Sequence, residues 1–370
     1  MNLFRKRKQI ISASLSRLAW VRFCHEPLGI GSLIFIGLVC LAAILGYLIT
    51  PDNSPFANQQ FLELGLKKPG FKVEMLYVMK PDPQSRSSDW FHTMLMGVRS
   101  NYTAIPISNY KISRDTLFYR VFTEPGTAVS AESKITLKKT GLPEKRTFWL
   151  GTDRFGRDYL SQMIIGARVS LAVGFISVII SLLIGISLGA IAGYFRGWAD
   201  HLIMWFINVV WSIPTLLLVI AITFALGKGF WQVFVAVGLT MWVDVARMVR
   251  GQVMSLREKE FVEAGRALGF SDSRIIMRHI LPNVMAAVIV ISAANFASAI
   301  LLEAGLSFLG LGVQPPVPSW GSMIKENYGY IILDYAYLAI LPGIAIMLLV
   351  LAFMLMGNSL RDALDVKTRD

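Results

Sequence analysis

The polar stretch from residue 255 to 282, SLREKEFVEAGRALGFSDSRIIMRHILP, separates two long apolar runs and predicts two short helices. Ser255 and Glu258 have the spacing of a capping box, in which two side chains bond each other's backbone N–H groups at a helix start. Gly269 can adopt the left-handed conformation that ends many helices. Pro282 fits the first turn of a following helix, where the missing N–H is not needed.

Each of the two predicted helices has an apolar face. The apolar residues recur at helical spacing, and they are Phe261, Ala264, Gly265 and Leu268 in the first helix and Ile275, Ile276 and Ile280 in the second. Ser271 stands where it can cap the second helix. As the one long polar segment in the second half, this stretch is where a water-soluble partner would bind a membrane protein. An amphipathic surface pair without a partner would show the same pattern, so both interpretations stay open here.

The composition predicts a membrane protein. Hydrophobic residues make up 54% of the 370 residues, charged residues only 16%, and the mean hydropathy is +0.55. So few charges cannot cover a soluble globule of this length. The net charge of +12 does not indicate nucleic-acid binding, because the basic residues are dispersed along loops and beside apolar runs. Cys24 and Cys40 would lie about 24 Å apart on a continuous helix, a separation too long for a disulfide.

Six apolar runs have lengths near the ~20 residues that a transmembrane helix needs. They cover about 28–50, 169–194, 201–226, 230–249, 283–302 and 337–357. The first run follows a basic segment, 1–27, and is longer than the apolar core of a signal peptide, so we expect an uncleaved helix. Gly185 and Gly189 would let another helix approach closely or would permit a bend. Pro214, in Ser212-Ile213-Pro214, predicts a kink in the third run.

The basic residues predict the orientation in the membrane. With six crossings, the loops on the side of both termini contain Arg196, Arg247, Arg250, Arg257, Lys259, Arg266, Arg274, Arg278, Arg361, Lys367 and Arg369, whereas the short loops on the other side contain Lys228 and Lys325. Positive residues concentrate in cytoplasmic loops. We therefore expect both termini and the 255–282 loop in the cytoplasm.

The segment 51–148 has no apolar run, and we expect it outside the cytoplasm as a small α+β insert. Its β-like runs are Phe71 to Val78 and Asp115 to Phe122, and proline-bearing loops are expected at Pro81-Asp82-Pro83 and Pro106. Its excess of Lys and Arg is compatible with this side, because long translocated domains escape the charge rule. Contact with a substrate-delivery protein and a structural cap are both open as its function.

Several segments resemble one family in their residues. Glu263-Ala264-Gly265, Gly269 and Ile280-Leu281-Pro282 resemble the Glu-Ala-Ala loop with which permease subunits of bacterial ABC importers dock onto their ATPases. The stretches that resemble the dipeptide/oligopeptide (peptide/nickel) branch are 261–264, 266–269, 278–283, 150–158, 166–171, 306–312 and 360–365. The departures from the family pattern are Gly265 for a second alanine, His279 for isoleucine and Val366 for proline.

The resemblance implies an all-α polytopic membrane protein of the type I ABC importer permease kind. It would have six transmembrane helices and a small α+β extracytoplasmic insert between helices 1 and 2. The implied domains are a cytoplasmic segment 1–27, helix 28–50, the insert 51–148 and a transmembrane domain 149–370. The residues implied to couple the chain to the ATPase are Glu263, Ala264, Gly265, Arg266, Leu268, Gly269, His279, Ile280, Leu281 and Pro282.

The resemblance also implies partners. These are two ABC ATPase subunits or domains that carry ATP and Mg²⁺, a second homologous permease, an extracytoplasmic solute-binding protein and a di- or oligopeptide substrate. The chain itself would bind no cofactor or nucleic acid and would lie in the bacterial inner membrane as a transport subunit without an ATPase site. Peptide length, peptide sequence and the choice between a peptide and a metal chelate are not specified by these residues.

Charged and special residues near membrane depth are candidate functional residues. Asp244 and Arg247 are three residues apart in the fourth run, and we expect them to pair on one helix face. Glu303 has no basic neighbour in the sequence; it could line the translocation path or make a helix-terminal hydrogen bond. Pro214 and Trp320 are further candidates for the path or gate, the latter because the proline-rich stretch around it suits an outer gate or re-entrant turn.

The sequence shows no catalytic constellation. Its four histidines, His25, His92, His201 and His279, lack the clustered spacing of a zinc site, and no phosphate-binding Gly-x-x-x-x-Gly-Lys-Ser/Thr loop occurs. A secondary transporter would show repeated halves with ionisable residues coupled deep in the spans. A membrane anchor for an outer binding or sensing domain would explain the 51–148 insert but not the docking loop.

Overall fold

The computed structural model describes residues 15–81, 90–123, 131–227 and 229–364. The predictions that involve residues 1–14, Asp82-Pro83, Lys228 and Asp365 to Arg369 lie outside the described residues. The described helices are α1 (Leu15–Phe23), α2 (Pro27–Ile49), α3 (Trp90–Met96), α4 (Tyr159–Phe195), α5 (Gly197–Trp211), α6 (Thr215–Leu226), α7 (Phe230–Arg257), α8 (Glu260–Ala267), α9 (Asp272–Ile275), α10 (Leu281–Leu309), α11 (Trp320–Asn327) and α12 (Tyr337–Leu364). The described strands are β1 (Phe71–Met79), β2 (Tyr102–Ser113), β3 (Thr116–Val121), β4 (Ser133–Thr136) and β5 (Glu144–Phe148).

Within this described part, five helical stretches are long and apolar enough to cross a membrane. They are α2, α4, α7, the continuous stretch Asp272–Leu309 and α12. Helices α5 and α6 meet the same test only as a pair, so the number of spans is six if the pair counts as one. The apolar runs become helices because a spanning segment in lipid has to satisfy its backbone polar groups internally.

The helices extend beyond the predicted apolar runs. Helix α4 begins at Tyr159 rather than near 169, because Asp158 caps it by accepting a hydrogen bond from the Ser161 backbone N–H at 3.1 Å. Helix α7 continues to Arg257, so Ser255 lies inside it. The predicted capping box is therefore wrong, and the Glu258 carboxylate instead accepts a hydrogen bond from Arg196 at 2.5 Å.

The third apolar run is two helices and not the single kinked helix expected over 201–226. Helices α5 and α6 meet around Ser212 and Pro214 at an angle of 93°. Pro214 takes non-helical angles, φ −54° and ψ 125°, and stands at the N-cap of α6. A proline has no N–H to donate and disfavours helical angles in the residue before it, so the hydrogen-bond ladder stops here.

Helices α4 and α7 approach each other closely along a row of glycines on α4. A Cβ built at Gly185 would lie 2.5 Å from the Val245 Cβ, and one built at Gly189 would lie 2.5 Å from the Ala246 carbonyl oxygen. Gly193 extends this row of glycines by one turn. The predicted close approach at Gly185 and Gly189 is confirmed, and small residues allow it because they leave the two backbones in contact.

A five-stranded antiparallel sheet lies between α2 and α4, with strand order β4-β3-β2-β1-β5. The predicted β-like runs fall in β1 and β3. Pro106, however, lies inside β2 opposite Met75 and not in a loop. It is tolerated because a bulge follows between Ile107 and Asn109, a site where sheets admit proline. Its carbonyl still accepts a hydrogen bond from the Phe122 N–H at 2.9 Å.

The two chain ends of the sheet meet each other and the helices just before α4. The Thr152 hydroxyl oxygen accepts a hydrogen bond from the Lys67 backbone N–H at 2.8 Å. Next to it, the buried Arg157 guanidinium donates to the carboxylates of Asp153 and Glu326, both at 2.6 Å. Glu326 belongs to α11, so this ion-pair network holds the turn before α4 against a second helix. Charge-assisted bonds of this length are the stronger class of protein hydrogen bonds.

Arg168 of α4 fixes two other helices. Its guanidinium donates four hydrogen bonds of 2.8–2.9 Å, to the carbonyl oxygens of Ala43 and Ile44 in α2 and of Met94 and Leu95 in α3. The planar fork of arginine can reach several acceptors at once. Helices α2 and α3 are thus bound to α4 by one side chain.

Substitution of Gly189 by valine is expected to destabilise the folded chain. Overpacking of a tight core costs about 1–3 kcal/mol, and the added atoms would meet the α7 backbone. Gly37→Val is the matched control, because nothing lies within 4 Å of a Cβ built at Gly37. Thermal unfolding in one detergent should show a lower midpoint for Gly189→Val and an unchanged midpoint for Gly37→Val. Equal midpoints would contradict the packing described for α4 and α7.

Candidate functional site

The polar loop folds into helix α8, a glycine turn and a second helical stretch. The turn is a Schellman motif, in which the Gly269 N–H donates to the Arg266 carbonyl at 2.9 Å and the Phe270 N–H donates to the Gly265 carbonyl at 3.0 Å. Gly269 has a φ of +73°, the left-handed conformation that glycine adopts without a Cβ clash. The predicted helix end at Gly269 is confirmed.

The inner face of α8 is narrow. Val262 is fully buried, and Gly265 lies one turn later on the same face. A Cβ built at Gly265 would lie 3.5 Å from Phe270 and 3.7 Å from Ile275, which are ordinary contacts. The space at Gly265 therefore accepts the alanine that the family pattern usually has.

The outer face of α8 carries apolar side chains that no described residue covers. Phe261 is 42% exposed, Leu268 is 72% exposed, and Ala264 between them is exposed as well. We call these three residues the outer row. The predicted apolar face is thus wrong in one respect, because only Gly265 of its four members packs against the protein. Glu263 and Arg266 are exposed beside the outer row.

The loop is attached to the ends of α4, α7 and α10. The Tyr194 hydroxyl of α4 donates to the Asp272 carboxylate at 2.6 Å. Ile275 and Ile280 are 1% and 0% exposed, and they pack in one cluster with Val253 of α7 and other residues of these three helices. The loop therefore shares one buried cluster with three long helices.

Two ion pairs hold the corner between α4 and α5 against the end of α7. Arg250 donates two hydrogen bonds to the Asp200 carboxylate, at 2.5 and 2.7 Å, in the bidentate geometry that suits guanidinium and carboxylate. Arg196 donates to Glu258 at 2.5 Å, and this hydrogen bond keeps the pKa of the Glu258 carboxyl below its usual range. The base of the 255–282 loop is therefore fixed by charge as well as by apolar packing.

The second predicted helix is continuous with α10. Ser271 stands at the N-cap of α9, as predicted, but its side chain makes no capping hydrogen bond. A π-helical turn, Ile276–Ile280, then joins α9 to α10. Pro282 lies in the first turn of α10, as predicted, and its missing N–H fits the widened ladder of a π turn.

The remaining predicted coupling residues differ in their access to a partner. Ile280 is buried and contributes to the internal cluster, whereas Pro282 is exposed and Leu281 is half-buried. The His279 ring stacks on the Phe270 ring with 5.8 Å between centroids. Direct contact with an outside protein is open to Pro282 and to the exposed residues of α8.

Two of the predicted path or gate residues are interior. Glu303 is fully buried, and its carboxylate accepts hydrogen bonds from Ser307 at 2.7 Å and from Ser170 at 3.4 Å. Trp320 is 4% exposed and donates its indole N–H to the Met163 carbonyl at 2.9 Å. These bonds tie α10 and α11 to α4, so neither side chain faces open space in this conformation. Their role in a gate stays a prediction.

Pro214 lies at the break beside a cavity that the sequence did not reveal. The cavity measures about 340 Å³ and is lined by Asp244 among others. The predicted pairing of Asp244 with Arg247 is wrong, because the Arg247 guanidinium lies 3.9 Å from the centre of the Trp211 ring and donates to Asn208 at 3.4 Å. Trp211 and Asn208 belong to α5, and the sequence around Asp244 does not show that α5 packs beside α7.

Two family models match the chain. The model described as "Binding-protein-dependent transport system inner membrane component" matches residues 185–370, and the chain belongs to this family. The model described as "N-terminal TM domain of oligopeptide transport permease C" matches residues 14–69. The strands of the sheet lie between these two matches.

Similar proteins include two curated permeases. The glutathione transport system permease protein GsiD of Pectobacterium atrosepticum is 42% identical over 221 residues, which cover 60% of this chain and 73% of that protein. The dipeptide transport system permease protein DppC of Alkalihalophilus pseudofirmus is 43% identical over 221 residues, with 60% and 72% covered. A solved inward-facing structure of the MetNI methionine ABC transporter aligns with 55% of this chain and 97% of its own, at 18% identity and a TM-score of 0.47.

The chain is thus a transmembrane permease subunit of an ABC importer in the peptide branch, and the resemblance is confirmed. It is an integral protein of the inner membrane. Membership of this family implies an ATPase and a solute-binding protein as partners. The two alternative functions, a secondary transporter and a membrane anchor, are not favoured by this family membership.

Alanine substitutions at the two loop glycines should have opposite effects. Gly265→Ala is expected to leave the melting temperature unchanged or raised, because the space is free and alanine favours a helix over glycine by about 1 kcal/mol. Gly269→Ala is expected to lower it, because a left-handed conformation costs a residue with a Cβ about 1–2 kcal/mol. Thermal melts of the two purified variants provide the comparison. A decrease of similar size in both would contradict the assigned end of α8.

Proposed function

We propose that this chain carries di- or oligopeptides across the bacterial inner membrane, coupled to two ABC ATPase subunits or domains through α8. The ATPases would carry ATP and Mg²⁺, a second homologous permease would complete the pathway, and a solute-binding protein would deliver the peptide from outside. The names of the similar permeases, which specify glutathione and dipeptide transport, support a peptide substrate.

The observation that carries the coupling is the outer row of α8. Exposed apolar residues that recur along one helix face are typical of a surface that a partner covers. A helix pair without a partner would turn Phe261 and Leu268 inward, whereas both are exposed here. Glu263 and Arg266 beside the row offer one charge of each sign, which can orient a partner.

The coupling is mechanical in this proposal. Nucleotide binding would close the ATPase dimer and displace α8 with it. Since α8 shares a buried cluster with α4, α7 and α10, these helices would move together and exchange inward-facing for outward-facing access. The proposed coupling residues are Glu263, Ala264, Gly265, Arg266, Leu268, Gly269, His279, Ile280, Leu281 and Pro282, with Ile280 and Gly265 acting from the buried side. The exposed ring of Phe261 adds one further contact residue to this set.

The proposed topology follows from the count of spans. If the bent pair of α5 and α6 is one span, six crossings put both termini and α8 in the cytoplasm. The sheet would then lie outside, within an insert over 51–148 that follows the cytoplasmic segment 1–27 and the first helix 28–50. The transmembrane domain would cover 149–370. Glu303, Pro214 and Trp320 would belong to the outer gate or path.

Loss of the outer row should release the ATPase. In a pull-down from mild detergent, the double variant Phe261→Ser, Leu268→Ser is expected to bring down at least tenfold less ATPase than the wild type. The reason is that a few side chains supply most of the binding energy of a protein interface, and this variant removes the two large apolar ones. Leu142→Ser is the matched control, since Leu142 is 67% exposed but lies by the sheet. ATPase retention equal to wild type in the double variant would exclude the outer row as the docking surface.

Cysteine labelling checks the topology. In a Cys24→Ser, Cys40→Ser background, a membrane-impermeant thiol reagent should label Leu142→Cys on intact spheroplasts. The same reagent should label Leu268→Cys only after lysis, because the two residues are proposed to lie on opposite sides. Labelling of both variants before lysis would contradict the proposed orientation.

A further inference from the structure

A cavity with a mixed apolar and polar lining lies in the corner between α5 and α6. The 93° bend carries α6 away from the line of α5, and the space so formed is about 340 Å³, within the size range of small-ligand sites. Its polar lining comes from three elements: Thr215 at the start of α6, Thr240 and Asp244 on α7, and Asn295 and Ser298 on α10. A cavity with walls from helices that a coupling loop moves together would change shape during transport.

The Asp244 carboxylate is the charged group of this cavity. It is exposed, stands near the midpoint of α7, and has no hydrogen bond or ion pair with any described residue. Arg247, the basic residue closest to it in sequence, is occupied by Trp211 and Asn208. A carboxylate at membrane depth is costly to keep and is a functional residue by default.

Asn295 supplies a second, independent signal. Its side chain is only 6% exposed, and its amide nitrogen is buried with no hydrogen-bond partner among the described residues. A buried N–H group is costly to leave unpaired, so a ligand with an acceptor would satisfy it. The same cavity therefore offers a negative acceptor, Asp244, and an unpaired donor, Asn295.

We propose that the cavity is a transit site for the amino-terminal end of a peptide. The α-ammonium group would donate to the Asp244 carboxylate, and the first carbonyl oxygen would accept a hydrogen bond from the Asn295 amide. Trp211 and Leu218 in the wall provide apolar surface for the first side chain. The inference rests on the proposed peptide transport and adds the part of the substrate that this chain recognises.

The first test is binding of radiolabelled Ala-Phe to the purified complex in lipid nanodiscs, without the solute-binding protein. Asp244→Asn and Asn295→Leu are each expected to weaken binding at least tenfold, because each removes one of the two polar contacts. Glu63→Gln is the matched control, since it also removes one carboxylate charge at an exposed position distant in the chain from the cavity. Co-purified ATPase confirms that each variant is folded and assembled.

The competitor N-acetyl-Ala-Phe tests which end of the peptide is recognised. It should compete at least tenfold less well than Ala-Phe on wild type, and the two should compete equally on Asp244→Asn. Unchanged Ala-Phe binding by Asp244→Asn, or equal competition on wild type, overturns the inference while peptide transport stands. A wild-type complex that neither binds nor takes up any peptide overturns the proposed function together with this site.

Discussion

The contact between α4 and α7 is the constraint on which the other helices depend. Gly185, Gly189 and Gly193 let the backbones touch, and a side chain at any of them would push the two helices apart. Helix α4 also holds α2 and α3 through Arg168, and it meets α10 and α11 through the hydroxyl of Ser170. In lipid, where burial of apolar surface from water no longer drives helices together, such close packing and interhelical hydrogen bonding supply the specificity.

The 255–282 loop and the central part of the structure depend on the same helices. The far ends of α4 and α7 carry the ion pairs and the apolar cluster that hold α8, while the middle of α7 carries Asp244. Helix α8 and the cavity are thus connected through the same two helices, α7 and α10. No long chain of intermediate contacts is needed, because α7 and α10 reach both the loop and the cavity.

Part of the fold and of the candidate site could be predicted from residue types that set the local geometry. The spacing of Gly185 and Gly189 indicates a close contact, and Gly269 marks a helix end, because in each case the residue type itself sets the geometry. The direction of a helix face is different. The apolar residues of α8 were visible at helical spacing, but whether Phe261 and Leu268 turn inward depends on Val262 and on neighbours far along the chain. Pro214 predicts a disturbance, while the 93° angle depends on how α5 and α6 pack elsewhere.

Asp244 shows most directly that spacing in the sequence does not decide which side chains pair. A carboxylate and an arginine three residues apart on a helix usually face each other, yet here α5 brings Trp211 and Asn208 close enough to take Arg247 away. The predicted capping box at Ser255 is wrong for a related reason. Val253 is buried in the cluster that holds the loop, and helix α7 continues through Ser255 to Arg257.

The two chain ends of the sheet, at Lys67 and Thr152, are hydrogen-bonded to each other, and this closeness has an evolutionary consequence. The chain leaves α2, forms the sheet and returns at Thr152 and Arg157, with β5 paired to β1 close to the point of return. Strands inserted or deleted between these two ends change the length of the chain and leave the turn before α4 in place. The two family matches, 14–69 and 185–370, lie on either side of the strands. A domain of this kind can therefore differ in length from one chain to another, while the turn that starts α4 keeps its hydrogen bonds.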